Sequence, residues 1–238
     1  MKSCARVLVI FIALVTMMTV GCSTPSIYAD SSIVCPLGKK PVGDTCKNYS
    51  TISDMQSFAD AIFVSLGDFA IAQNVPPPVM GSMHYITSEN AQSSPCAMSP
   101  NEPYVACYTS GELYIGSMMR YTNYSTSVPL APITIIAHEY GHFLQNPNER
   151  DVSSNSAVPE ENQADCVSGA YVAWLGTKQQ IKLSSLIKLL GMIWDHGSNP
   201  YMEPFQIHGT PPERTSAFTT GYDDGLSACN AIGNVSIS

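Results

Sequence analysis

Apolar residues at Met55, Phe58, Ile62, Leu66 and Phe69 recur three and four positions apart, the spacing of one helical face. That spacing predicts a helix over 53–73, capped by Thr51 or Ser53 and stopped by Pro76-Pro77-Pro78. Shorter runs follow. Val79 to Ile86, Tyr104 to Tyr108 and Glu112 to Ser117 read as strands, the last two separated by Thr109-Ser110-Gly111. Beyond them the helical pattern returns. Pro132 suits the first turn of a helix that runs through Gln145 and ends before Pro147. Pro159 starts a second helix, which carries Glu161 to about Leu175 with Gly176 as its stop. Lys182 to Trp194 forms a third, apolar helix, and Pro211 or Pro212 begins a last short one to Phe218. Helix, strands and then helices predict an α+β fold in a single domain.

One apolar stretch belongs to no such element. Val7 to Val20 is uncharged, follows Lys2 and Arg6, and falls short of the ~20 residues that span a bilayer. It reads as the core of an export signal. Thr19-Val20-Gly21-Cys22 resembles a bacterial lipobox, in which Cys22 takes a diacylglyceryl group and becomes the new N-terminus. Ordinary cleavage near Ala29 is the alternative. The expected organisation is a lipoprotein-type signal over 1–22, a tether with a small Cys-closed loop over 23–50, and one domain over 51–238. Such a chain is exported and membrane-anchored through Cys22, facing the periplasm or the cell exterior. Its net charge of −8 argues against a nucleic-acid partner.

Cysteine usage agrees with export. Cys4 lies in the signal and Cys22 in the lipobox, which leaves Cys35, Cys46, Cys96, Cys107, Cys166 and Cys229. An even set in an exported chain suggests disulfides. Proximity favours Cys35–Cys46 and Cys96–Cys107, and Cys166–Cys229 is then left over. A Cys-rich metal site is disfavoured, because no CxxC spacing occurs.

The candidate chemistry lies on the helix containing Pro132. His138 and His142 are four residues apart, so both rings project from one face, one turn apart. That spacing suits two ligands of a tetrahedral zinc ion. Glu139 stands beside them, placed to hold a water rather than the metal. Zinc lowers the pKa of such a water toward ~7, and Glu139 can take its proton and pass it to a leaving amine. The next helix offers Glu161 as third ligand and, four residues later, Asp165 on the same face. Asp165 can accept a hydrogen bond from the outer ring nitrogen of His138 or His142; in a variant reading Asp165 is itself the ligand. Glu160 lies about 100° around the helix from Glu161 and is expected to point elsewhere.

His138-Glu139-Tyr140-Gly141-His142-Phe143-Leu144-Gln145, with Glu161-Asn162-Gln163-Ala164-Asp165-Cys166 and Gly169, resembles a bacterial neutral zinc metallopeptidase family of the gluzincin type. Cys96 to Cys107 with Glu112-Leu113-Tyr114-Ile115, His208-Gly209-Thr210 with Glu213-Arg214, and Cys229 are similar to the family's outer motifs. The likeness covers about residues 52–230. Glu213 stands where the family has Gln, and the 182–194 helix and 199–206 loop fit it poorly. The resemblance implies a zincin-like domain with a small sheet packed on the HExxH helix. It implies zinc on His138, His142 and Glu161, and a peptide or protein as substrate. It also supports the Cys96–Cys107 and Cys166–Cys229 pairings.

Three further residues enter as candidates. In the gluzincins of this resemblance a later His donates to the oxyanion of the tetrahedral intermediate; His208 suits that role or that of a packing residue. Arg214 can brace a carboxylate at the site or lie in a surface pair. Leu113–Ile115 is expected to form the sheet edge beside the active helix, where a substrate strand would add. His84 and His196 are assigned no metal role. Two rival functions share these residues: a non-catalytic lipoprotein binding module on the same fold, and an amidase acting on cell-wall peptides.

Overall fold

The structure, a computed structural model, describes residues 41–42, 45–46, 52–79, 83–86, 106–109, 111–116, 130–145, 157–178, 181, 183–195, 197, 208–233 and 236–237. The signal and lipobox Cys22, the Cys35–Cys46 bridge, Cys96 and His196 lie outside these residues. Strands β1 (Pro41–Val42) and β2 (Thr45–Cys46) pair antiparallel. Helix α1 spans Ile52–Gln73. Its inner face buries Ala59, Ile62, Phe63, Leu66, Phe69 and Ala70.

A three-stranded sheet follows, formed by β3 (Met83–Ile86), β4 (Ala106–Thr109) and β5 (Glu112–Gly116). Its order is β3-β5-β4, with β3 parallel and β4 antiparallel to β5. This corrects the expectation for Leu113–Ile115. That strand is central, because its two hydrogen-bonding sides are taken by β3 and by the hairpin partner β4. Gly111, at φ +85°, takes the left-handed backbone in the hairpin turn. β4 is the edge that lies against the next helix. Leu113 and Ile115 face the core, while Tyr114 faces the other way and stacks on His84 at 4.9 Å.

Among the described residues four more helices follow: α2 (Leu130–Leu144), α3 (Val158–Lys178), α4 (Leu183–Asp195) and α5 (Pro211–Asp224). A 3₁₀ turn over Leu226–Ala231 follows. The whole is mostly helical with a small sheet, an α+β arrangement. α2 begins before Pro132, which sits in the first turn where its missing N–H costs nothing. α3 runs past Gly176, since the ~1 kcal/mol that a helical Gly costs cannot end a helix anchored by buried Leu175. α5 continues beyond Phe218 because Gly221 and Tyr222 also pack inward; it stops at Gly225, φ +80°. At its start the Glu213 carboxylate accepts from the Thr210 amide at 2.8 Å and the Thr210 hydroxyl at 2.7 Å, so the acidic departure at 213 serves as a cap. Among the described residues no helix is long and apolar enough to cross a membrane.

Two close helix crossings place the site. A Cβ on Gly221 would stand 1.8 Å from the Cys166 carbonyl oxygen, and one on Gly169 would stand 2.0 Å from that of Phe218. Glycine at both positions lets α3 and α5 touch backbone to backbone, and a disulfide joins Cys166 to Cys229 beside them. A Cβ on Gly141 would stand 2.7 Å from the Ala164 Cα, so α2 and α3 are equally close there.

Candidate metal centre

The Gly141–Ala164 contact brings the first turns of α3 against the face of α2 that carries the histidines. His138 and His142 stack edge to face, ring centres 4.8 Å apart. Their Nε2 atoms converge on one carboxylate: His138 Nε2 lies 3.2 Å from Glu161 Oε2, and His142 Nε2 lies 3.4 Å from Glu161 Oε1. Two ligand atoms on a tetrahedral zinc, each bonded at ~2.0–2.2 Å, stand about 3.3–3.6 Å apart. Both His–Glu161 pairs are close to that spacing, and ligand atoms from all three side chains lie within 4.8 Å of one another. Two imidazoles and one carboxylate are also a donor set that borderline-soft zinc takes. The residues therefore fit the metal that the spacing predicts.

Each ligand is held from behind. His138 Nδ1 bonds Asp165 Oδ1 at 2.9 Å, so Asp165 stands behind His138 and outside the group that could hold a metal. Arg214 in turn grips Asp165, and the bracing role wins over the surface pair. His142 Nδ1 bonds Gln145 Oε1 at 2.9 Å. His208 Nδ1 bonds Glu161 Oε2 at 2.9 Å from a half-exposed position, which places it on the third ligand. With both Nδ1 atoms engaged, the Nε2 atoms are the ones turned to Glu161, where a metal would take the place of their hydrogens.

No family model, curated protein or solved structure matches this chain.

Electrostatics divide the acidic groups by role. Burial works against the charge on Glu161, but hydrogen bonds from His138, His142 and His208 outweigh it and hold the carboxyl far below the usual range. Asp165 is likewise pushed up by burial and pulled lower still by His138 and Arg214. His138 loses from burial yet is raised to about 10 by Asp165 and Glu161. The two carboxylates thus demand a positive partner in the pocket. Glu139 goes the other way: burial, joined by the negative charge of Glu161, raises its pKa. It is 6% exposed. A cavity of about 10 Å³ adjoins it, lined by Phe63, Pro78, Tyr108, Leu113, Tyr140 and Phe143.

The structure brings together His138, Glu139, His142, Glu161, Asp165 and His208. Glu160 is outside the group but is not the solvated first-turn acid that its position suggests: it is buried, and its Oε2 has no partner among the described residues. Gln145 is the residue that sequence reasoning passes over. Its signal is present, three positions after His142 on the same helix face. His84 lies on the outer sheet face, its Nε2 3.4 Å from Glu112, away from the metal group. Cys107 is disulfide-bonded.

Proposed function

We propose that this chain is a zinc-dependent peptidase of the gluzincin type, with a zincin fold, which hydrolyses peptide bonds in peptides or proteins outside the cytoplasm. One observation carries the reading: the Nε2 atoms of His138 and His142 meet the Glu161 carboxylate at 3.2 and 3.4 Å while both Nδ1 atoms are held by other side chains. Zinc, when bound, supplies Lewis acidity, which polarises a carbonyl and acidifies a water. His138, His142 and Glu161 are the residues that would hold it.

Glu139 supplies the proton traffic. As a carboxylate with a raised pKa it takes a proton from water as the water oxygen attacks the carbonyl carbon. As a carboxylic acid it then gives that proton to the amine nitrogen as the C–N bond breaks, which leaves it a carboxylate again. The raised pKa brings the two forms closer in energy near neutral pH than they are in an ordinary Glu. His208 steadies Glu161 through Nδ1.

Export fits the disulfides. Cys166–Cys229 and the bonded Cys107 belong to an oxidising compartment. With the lipobox at Cys22 they support a membrane-anchored enzyme facing the periplasm or cell exterior. The test is Glu139→Gln. It should retain zinc and lose peptide cleavage by at least about a hundredfold. Undiminished cleavage contradicts the mechanism, and a wild-type protein that holds zinc but cleaves no peptide in a library favours the binding-module reading.

A further inference from the structure

Gln145 and Gln163 are almost fully buried side-chain amides. Each carries donors on one atom and acceptors on the other, so a buried amide has a direction. The direction here is fixed from the far end. The carbonyl oxygen of Cys229 can only accept, and Gln163 Nε2 donates to it at 3.2 Å. Gln163 Oε1 must then be the acceptor at the other end, where Gln145 Nε2 donates at 3.1 Å. The same Nε2 donates to the Glu160 carbonyl at 2.6 Å, a second acceptor-only partner. Gln145 Oε1 is thereby turned to His142 Nδ1, 2.9 Å away. An oxygen at that position requires Nδ1 to carry the hydrogen, which leaves Nε2, the atom turned to Glu161, as the one that can bind metal.

From this we infer that Gln145 and Gln163 form a relay of positioning residues: it carries the polarity of the Cys229 carbonyl to His142 and sets the tautomer in which His142 binds metal. The inference rests on the metal reading above and adds to it the C-terminal segment. That segment is anchored for the purpose. Cys229 is tied by its disulfide to Cys166, the neighbour of Asp165, which sets the tautomer of His138. Gln145 itself pairs across an isolated bridge with Ile237, whose amide donates to Asn230 Oδ1 at 2.8 Å. Gly233 lies against the Gln163 amide so closely that a Cβ there would stand 2.4 Å from Cδ. Residues 226–233 and 236–237 are thus a working support of the metal site, although they supply no ligand.

The experiment measures zinc affinity of the full chain by chelator competition for wild type, Gln145→Met, Gln163→Met and the double variant. Gln145→Met should weaken zinc binding by ~10- to 100-fold, the range for loss of a partner behind a metal ligand. Gln163→Met, which reaches His142 through Gln145, should weaken it by about tenfold. Because the two act in series, the double variant should bind no worse than Gln145→Met alone. An unchanged affinity in Gln163→Met, or two effects that simply add, overturns the relay. Long-range ¹H–¹⁵N NMR of zinc-loaded wild type provides a readout that needs no variant to fold. His142 protonated at Nδ1 supports the relay, and protonation at Nε2 overturns it. A wild-type protein without zinc affinity overturns the metal reading and the relay together; wild-type affinity matched by both variants overturns the relay alone.

Discussion

Arg214 grips Asp165 with both arms of its guanidinium fork, Nε to Oδ2 at 2.7 Å and Nη2 to Oδ1 at 2.9 Å. Both side chains are nearly out of solvent, and the same Asp165 oxygen that takes Nη2 also takes His138 Nδ1. Removing one partner of such a pair leaves a buried charge unpaired. Arg214→Leu should therefore cost about 3–5 kcal/mol of stability, read as a shift of the urea midpoint in metal-free protein. Arg214→Lys keeps the charge but loses the fork and should fall between. A Leu variant as stable as wild type would show that the pair contributes nothing net.

Acid sensitivity follows from the same carboxylate. Asp165 has a folded pKa below its unfolded one, so its contribution is present above the ordinary Asp value of ~3.9 and is lost as pH falls through the folded value. The urea midpoint of wild type should drop more steeply than that of Asp165→Asn as pH is lowered from about 5. His138 acts in the opposite sense in metal-free protein. Its pKa is raised to about 10, so its contribution is full below ~6.5 and fades as pH climbs toward that raised value. Parallel pH curves for wild type and Asp165→Asn would contradict the Asp165 assignment.

Gly141→Ala tests the crossing that delivers Glu161. The added Cβ would stand 2.7 Å from the Ala164 Cα, a backbone atom that cannot move alone. The helices must separate, at a cost of about 1–3 kcal/mol, and Glu161 should retreat from the histidines. Loss of zinc affinity together with a lowered melting temperature is the expected pair of results. An unchanged affinity would mean that the close approach does not set the ligand spacing.

His208→Ala tests the support of the third ligand. His208 contacts Glu161 directly, so its removal should weaken zinc binding by about tenfold. Retained affinity with a fall in kcat alone would instead assign His208 to the oxyanion.

The legible part of the site is the part encoded locally. His138 with His142, and Glu161 with Asp165, are pairs four residues apart on one helix, and helical geometry alone puts each pair on one face. Gln145 shares that local frame, but a Gln at a helix end has many commoner uses, so spacing alone does not single it out. Arg214 reaches Asp165 across 49 residues and Gln163 reaches Cys229 across 66, contacts made by how α5 and the tail pack on α3. No period along the chain records that packing. Strand order is non-local in the same way. The pattern at Leu113 and Ile115 shows a strand with one buried face, but it cannot show that β3 returns to cover its second side.

The central claim is that His138, His142 and Glu161 hold a metal on which peptide cleavage depends. Cleavage of an unbiased peptide library by the purified chain, before chelation, after chelation and after zinc is restored, tests it most directly. About one zinc per chain is expected, with cleavage that disappears with the metal and returns with it, and neither zinc nor cleavage in His142→Ala. Cleavage that survives complete removal of metal, or a chain that takes up no zinc, would contradict it.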